Sequence, residues 1–419
     1  MAIVTHFLRC EGPNALAPPR GTTGINRLAQ ATSPARLIGK RSKLSQNGSQ
    51  LRMIPPNTDI GTVYRLEDLP MKISTLMSYA HGFRGATQEV VELEKAGLDV
   101  VWVPEAYSFD AVSAMGYIAA KTDRVTIASG ILNIYSRTPA LMAMTAAGLD
   151  EISEGRFMLG LGASGPQVIE GFHGVPYDAP MTRLREVVEI CRKVWLREEK
   201  LNFDGKKYQV PLPADQGTGL GKALKIINHP YREEIPVALA TLGEKSVEMT
   251  AEIADAWLPA FFMAEGAAAV WGDALKKGAA KRDPGRPPLD IYAGGAVAVG
   301  EGLESYRDMS RSGIALYVGG MGAKEKNFYN QVFRKYGYEE EAETIQELYL
   351  SGRKSEAEAA IPQSYLDATS LIGSEGFVKD RLASLKEHGV TSLNVSFLGT
   401  TSEERVRNCD QLKNLIEKV

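Results

Sequence analysis

The chain has 419 residues, 44% of them hydrophobic and 24% charged, with a formal net charge of -3. These proportions exclude a chain that is disordered throughout and a global basic field for nucleic acid, and no apolar run approaches the roughly 18 residues of a membrane span. Three widely separated cysteines and five histidines without an HExxH spacing exclude a disulfide scaffold, offer no metal site, and fit a reducing, cytoplasmic setting.

Residues 1–70 are a different kind of sequence. They carry nine basic and four acidic side chains, a net of +5 against -8 for the remainder. Pro, Ser, Gly, Asn and Gln recur there without an apolar period, so the segment buries too little to offset the entropy of ordering. It reads as a disordered segment, its Arg-rich and acid-poor composition resembling a transit peptide, or as upstream sequence before a true start at Met71. The second reading is favoured, because an apolar strand pattern begins abruptly at Met71-Lys72-Ile73.

From residue 71 strands and helices alternate. A strand is predicted at Ile73 to Met77, a helix at Thr87 to Ala96 ended by Gly97, and a strand at Leu98 to Val103. A helix through Ala111, Met115 and Ile118 precedes strands at Val125 to Ile131 and Phe157 to Leu161. Further strands are expected at Ile235 to Ala240, Ala256 to Leu258, Leu289 to Val299 and Thr391 to Phe397, before a last helix at Glu403 to Glu417. Near-continuous apolar strands between amphipathic helices imply a parallel sheet covered on its outer face. Eight of them point to an α/β fold, a (β/α)8 TIM barrel over residues 71–419, with an open doubly wound sheet as the alternative. The span exceeds the roughly 250 residues of a plain barrel, so insertions are expected near 202–234 and 300–372.

In such a barrel chemistry sits at the carboxyl ends of the strands. The first ends in Ser78-Tyr79-Ala80-His81, where His81 could donate a proton or simply cap a helix. The second ends in Pro104-Glu105-Ala106-Tyr107; Glu105 is an acid or base if desolvated, or the ion-pair partner of a loop arginine. Gly130 within strand three marks a bulge or a close approach. Gly160-Leu161-Gly162-Ala163-Ser164-Gly165 matches GxGxxG, but a dinucleotide site needs a long helix next, and Pro166 to Phe172 allows only a short one. Its small residues instead leave room for a flat ring. After strand five, Leu242-Gly243-Glu244-Lys245 opens a helix whose free N–H groups and positive dipole end suit phosphate, with Lys245 adding charge. An ordinary turn fits these residues equally well. Leu316 to Gly322 with Phe328, Tyr329 and Phe333 reads either as a lid or as a contact in an oligomer.

Four stretches together resemble the bacterial luciferase-like superfamily of flavin and deazaflavin oxidoreductases, most closely its actinobacterial branch that uses coenzyme F420. They are Val101 to Tyr107, Ser129 to Pro139, Gly155 to Ser164 and Ala251 to Trp257. The resemblance covers about residues 71–400 and implies a luciferase-like barrel with insertions. It implies a non-prolyl cis bond between Gly130 and Ile131 that backs the ring of the cofactor. It places Gly160, Gly162, Ala163 and Ser164 beside the ring, Leu242, Gly243 and Lys245 at the phosphate, and Glu105 at the reactive edge. FMN-using members often carry Glu-His after strand two, where this chain has Glu105-Ala106. The function implied is hydride transfer between F420 and a small-molecule substrate, with Glu105 as the proton donor and His81 in reserve. The alternatives are an FMN-dependent monooxygenase fed by a separate flavin reductase, and a non-catalytic flavin- or deazaflavin-binding barrel. A homodimer is the expected assembly, with neither nucleic acid nor membrane as partner.

Overall fold

The structure is a computed structural model that describes residues 71–78, 82–321 and 327–419. The expectations for residues 1–70 and for His81 lie outside the described residues.

Along the chain, β1 (Lys72–Leu76) leads to α1 (Phe83–Lys95), β2 (Val100–Val103) to α2 (Ala111–Ala119), and β3 (Thr126–Ser129) with the short β4 (Leu132–Asn133) to α3 (Pro139–Ile152). After β5 (Phe157–Gly162) come a short α4 (Pro166–Ile169), the long α5 (Pro180–Leu196), and an antiparallel hairpin of β6 (Phe203–Asp204) and β7 (Gln209–Val210). Alternation resumes with β8 (Val237–Leu239), α6 (Glu244–Ile253), β9 (Ala256–Trp257), α7 (Ala264–Ala279), β10 (Asp290–Ala293) and β11 (Ala296–Val299). A helical insertion follows, containing α8 (Arg311–Ala315), α9 (Phe328–Lys335), α10 (Glu339–Leu350), α11 (Lys354–Ala359) and α12 (Gln363–Ala368). Then come β12 (Leu371–Gly373), α13 (Glu375–Glu387), β13 (Ser392–Phe397) and α14 (Ser402–Ile416).

Parallel pairing runs β1-β2-β3-β5-β8-β9-β10-β13 and returns to β1, closing a barrel of eight strands. Side chains alternate between its two faces. Val100, Trp102, Ala128, Met158, Ala238, Ala256 and Tyr292 form one cluster inside. Their neighbours Val101, Ile127, Phe157, Leu159, Val237 and Trp257 pack outward beneath the helices. Both faces are buried, which is why the strands read as unbroken apolar runs. Trp102 anchors the interior. Its ring meets Tyr292 edge-on at 5.1 Å, and its Nε1 donates to Ser74 Oγ at 2.9 Å. Ser74 in turn donates to the Leu393 carbonyl at 2.7 Å, joining three strands through one hydroxyl.

The eight expected strands are the eight of the barrel, with local differences. The run from Leu289 to Val299 breaks at Gly294-Gly295, although β13 keeps one register across the gap, Tyr292 opposite Ser392 and Ala296 opposite Ser396. The break admits the carbonyl of Thr369, which a Cβ on Gly295 would approach to 1.9 Å. β11 then takes β12 on its other edge, with Val299 opposite Gly373. β12 was not foreseen, because three residues are too few to show a period. The helix expected from Thr87 starts at Phe83, with Gly82 as an N-cap that has no side-chain bond to announce it. The helices of the insertion share a core of their own around Ile314, Val318, Phe333, Ile345 and Tyr365. Tyr317 and Phe333, read as lid or oligomer contact, are buried. The insertion docks on the loop after β9: the Tyr336 hydroxyl donates to the Phe261 carbonyl at 2.9 Å and accepts from the Met263 N–H at 3.1 Å. Among the described residues no helix is long and apolar enough to cross a membrane.

One buried carboxylate fixes the entry to β3. Glu94 accepts from the N–H groups of Asp123, Arg124 and Val125 at 3.1, 2.6 and 2.7 Å. Burial pushes its pKa up, but the backbone donors outweigh burial and hold it below the ordinary value of 4.5. A carboxyl lowered in this way stabilises the fold above its unfolded pKa, and that contribution is lost as pH falls through the folded pKa. Glu94→Gln is therefore expected to cost about 1–3 kcal/mol at neutral pH. The gap to the parent should shrink as pH drops below 4.5. Urea unfolding across this range checks it; a gap that does not change with pH would refute the assignment.

Candidate active site

The site is built where strand three meets strand four. β3 pairs Ala128 with Met158, but β4 pairs Leu132 with Leu161, so strand three carries one extra residue, a bulge. The Gly130–Ile131 peptide bond inside it is cis, as the resemblance implied. Ser129 fills the gap in the ladder: its Oγ donates to the Gly160 carbonyl and accepts from the Gly160 N–H, both at 2.8 Å. The Gly130 N–H goes to the Val103 carbonyl at 2.8 Å, tying the bulge to strand two. The strands are so close here that a Cβ on Gly160 would lie 1.8 Å from the Ser129 carbonyl oxygen. The first glycine of the GxGxxG match is therefore required by strand packing. Its last, Gly165, precedes a helix of only four residues, too short for a dinucleotide site.

Past the bulge, Ile131 joins Trp102 and Leu258 in the interior cluster, and Gly162 pairs with Asn133. Ala163 and Ser164 lie half-buried beyond β5, with Ser164 at a φ of 57°. The structure thus brings Gly130, Ile131, Gly160, Gly162, Ala163 and Ser164 together where strands three and four end. Two phenols flank these residues. The Tyr177 hydroxyl donates to the Ser164 carbonyl at 3.4 Å and the Tyr135 hydroxyl to the Asp178 carbonyl at 3.0 Å, their rings 5.2 Å apart. Burial raises the pKa of both, so they remain neutral donors.

Glu105 stands at the end of β2 as expected, but it is not free. Arg137 grips it with two charge-assisted bonds at 2.6 and 2.7 Å, and the Ala111 N–H donates to it at 3.1 Å. The side chains of Arg137 and Glu105 are only 13% and 8% exposed. The bonds to Glu105 raise the pKa of Arg137 against the effect of burial. The pair ties the loop after β2 to the loop after β4, and protonating Glu105 would break both charged bonds. Glu105 thus has the loop-arginine partner that the sequence left open as one of its two readings.

Gly243 is the N-cap of α6, and its carbonyl accepts from the N–H groups of Ser246 and Val247, both at 2.9 Å. The N–H groups of the first turn are presented here, as expected for this turn. The Leu242 carbonyl accepts from Trp271 Nε1 at 2.8 Å, which fixes the turn from behind. Lys245 is not gathered with these groups at the mouth. It lines an outer groove between α5 and α6, among Glu186, Glu248 and Glu252. Sequence reasoning missed Ser129 and Arg137. Their signal was faint: a serine directly before a strand glycine, and an arginine two residues before Pro139. Among the described residues no cluster of His, Cys, Asp or Glu could hold a metal ion.

Ser129→Ala is expected to leave both polar groups of Gly160 unpaired, at a cost of about 1–3 kcal/mol each. Gly160→Ala should be worse, because backbone must move. Denaturant midpoints of the two variants check this ranking, and an unchanged Ser129→Ala protein would sink it.

The chain belongs to the luciferase-like monooxygenase family, whose model matches residues 69–392. It is 37% identical over 344 residues to the "Putative coenzyme F420-dependent oxidoreductase Rv3520c" of Mycobacterium tuberculosis, covering 81% of this chain and 97% of the relative. Among solved structures, the coenzyme F420 dependent tetrahydromethanopterin reductase from Methanopyrus kandleri superposes with a TM-score of 0.66 at 21% identity, over 82% of this chain and 98% of that one. An F420-dependent secondary alcohol dehydrogenase, solved with an F420-acetone adduct, superposes with a TM-score of 0.63 at 16% identity, over 83% and 99% of the two chains. These two likenesses bear on the fold.

Proposed function

We propose that this chain transfers a hydride between coenzyme F420 and a small organic substrate. The observation that carries the proposal is the cis-bonded bulge at Gly130–Ile131, which would back a flat tricyclic ring beside the strand-four end at Gly160, Gly162, Ala163 and Ser164. The residues present fit the group. Ala163 and Ser164 beyond strand four add little side-chain bulk, and the turn at Gly243 offers backbone N–H groups for a phosphate. The relative with 37% identity favours F420 as the cofactor, as does Ala106 after Glu105. When bound, F420 supplies the carbon that carries the hydride; the protein supplies orientation and moves the proton.

In this proposal Gly130, Ile131, Gly160, Gly162, Ala163 and Ser164 position the ring, and Leu242 and Gly243 hold the phosphate. Lys245 acts at most from a distance. The proton is assigned to Glu105 and His81. Glu105 would have to leave Arg137 before exchanging a proton with a substrate. A homodimer completes the proposal. Leu141, Met144 and Ile152 of α3 are exposed at helical spacing beside an exposed Tyr117 on α2, a stripe suited to a second copy.

The first test is a titration of the purified protein with F420 and with FMN, in which F420 is expected to bind at least about ten-fold tighter. Tighter FMN binding would favour the monooxygenase instead. The second is Glu105→Gln, expected to slow single-turnover hydride transfer by about 10²–10⁴. A parent-like rate with a lower melting temperature would leave Glu105 as a tie between loops.

A further inference from the structure

The barrel mouth also carries aromatic surface that hydride transfer itself does not use. Tyr107 and Phe109, in the loop after β2, are 63% and 68% exposed, and Phe172, in the loop after α4, is 63% exposed. Single exposed apolar side chains are ordinary; a contiguous set is not. These rings form two pairs across loops, and the pairs share the loop after β2. Tyr107 lies 6.2 Å from Phe172, and Phe109 lies 5.6 Å from Phe83, which opens α1. The loops follow the first, second and fourth barrel strands, so the rings stand together on one side of the mouth.

The surface is also held in place. Glu105, two residues before Tyr107, is locked by Arg137 and by the Ala111 N–H. Asp110, directly after Phe109, caps α2 by accepting from the Ser113 N–H at 3.0 Å. Aromatic rings carried on an anchored loop cost little backbone ordering on binding and offer flat faces for offset or edge-on stacking. The opposite side of the mouth is different in kind. There Phe261, Tyr317 and Tyr329 pack on one another at 4.9 to 5.6 Å and close the insertion onto the loop after β9.

We infer that Tyr107, Phe109 and Phe172 are specificity-determining residues, and that the substrate carries a flat apolar body, aromatic or fused-ring, that stacks on them while its reacting carbon reaches into the mouth. This inference rests on the proposed hydride transfer only in taking the mouth as the active site. The test uses the full chain with 2-acetonaphthone and propanone, which share a methyl ketone and differ in the flat body. Binding is measured by equilibrium dialysis without cofactor, and turnover is followed with reduced F420. The naphthyl ketone is expected to bind at least about ten-fold tighter than propanone. The triple variant Tyr107→Ser, Phe109→Ser, Phe172→Ser should lose most of that preference while its melting temperature stays near the parent's. Equal binding of the two ketones by the parent overturns the inference, as does a preference that survives in the variant. A parent that self-associates in sedimentation velocity where the variant does not, with ketone binding unchanged, also overturns it and makes the rim a protein contact. Failure of F420 to bind, with the naphthyl preference present and lost in the variant, sinks the hydride-transfer proposal and supports the rim.

Discussion

Ser129 holds together the part of the barrel on which the mouth depends. At the bulge the ladder between strands three and four has no backbone partner to offer, and one hydroxyl replaces it by donating to and accepting from the same residue, Gly160. That exchange satisfies two buried backbone groups and sets how closely the strands approach. The approach excludes every residue but glycine at position 160. The bulge then aims Ile131 inward and leaves Gly130 half-open at the mouth.

Around this junction the mouth has two sides built by different means. On one, the ion pair of Glu105 and Arg137 ties neighbouring loops while leaving aromatic rings outside. On the other, helices with their own core close over the loop after β9 through Tyr336 and Phe261. Phe261 has a φ of 58°, uncommon for a residue with a side chain, and its carbonyl and ring are both engaged by the insertion. One side is thus fastened by an ion pair, the other by packed rings together with the hydrogen bonds of the Tyr336 hydroxyl.

How much of this was legible in the sequence follows the range of each interaction. Strands buried on both faces announce themselves as apolar runs, so the barrel could be read from residues such as Val100 to Val103 and Phe157 to Leu161. Gly130 and Gly243 could be read as places where backbone comes close, whereas Gly160, read as room for a ring, faces the Ser129 carbonyl. Partnerships between distant residues could not be read. Glu105 and Arg137 are 32 positions apart, and nothing local distinguishes a carboxylate waiting for substrate from one gripped by a guanidinium. Lys245 shows the same limit: a lysine in the first turn of a helix looks like a phosphate ligand, yet its side chain lies in the groove between α5 and α6. The small strand β12 escaped because its place is set by Thr369 and β11 and not by its own three residues.

The pairing of β11 with β12 has a consequence for how such a protein can change over generations. The insertion leaves the barrel after Val299 and returns by Gly373, and these two residues are partners in one ladder. The gap between its ends is already closed by hydrogen bonds that belong to the sheet. A segment anchored at two adjacent points and stabilised by its own core can lengthen, shorten or be exchanged at small cost in loop entropy. The scaffold therefore leaves one side of its mouth open to wholesale replacement while the bulge at Ser129 is confined to near-identity, which is a division between a part free to diverge and a part that is not.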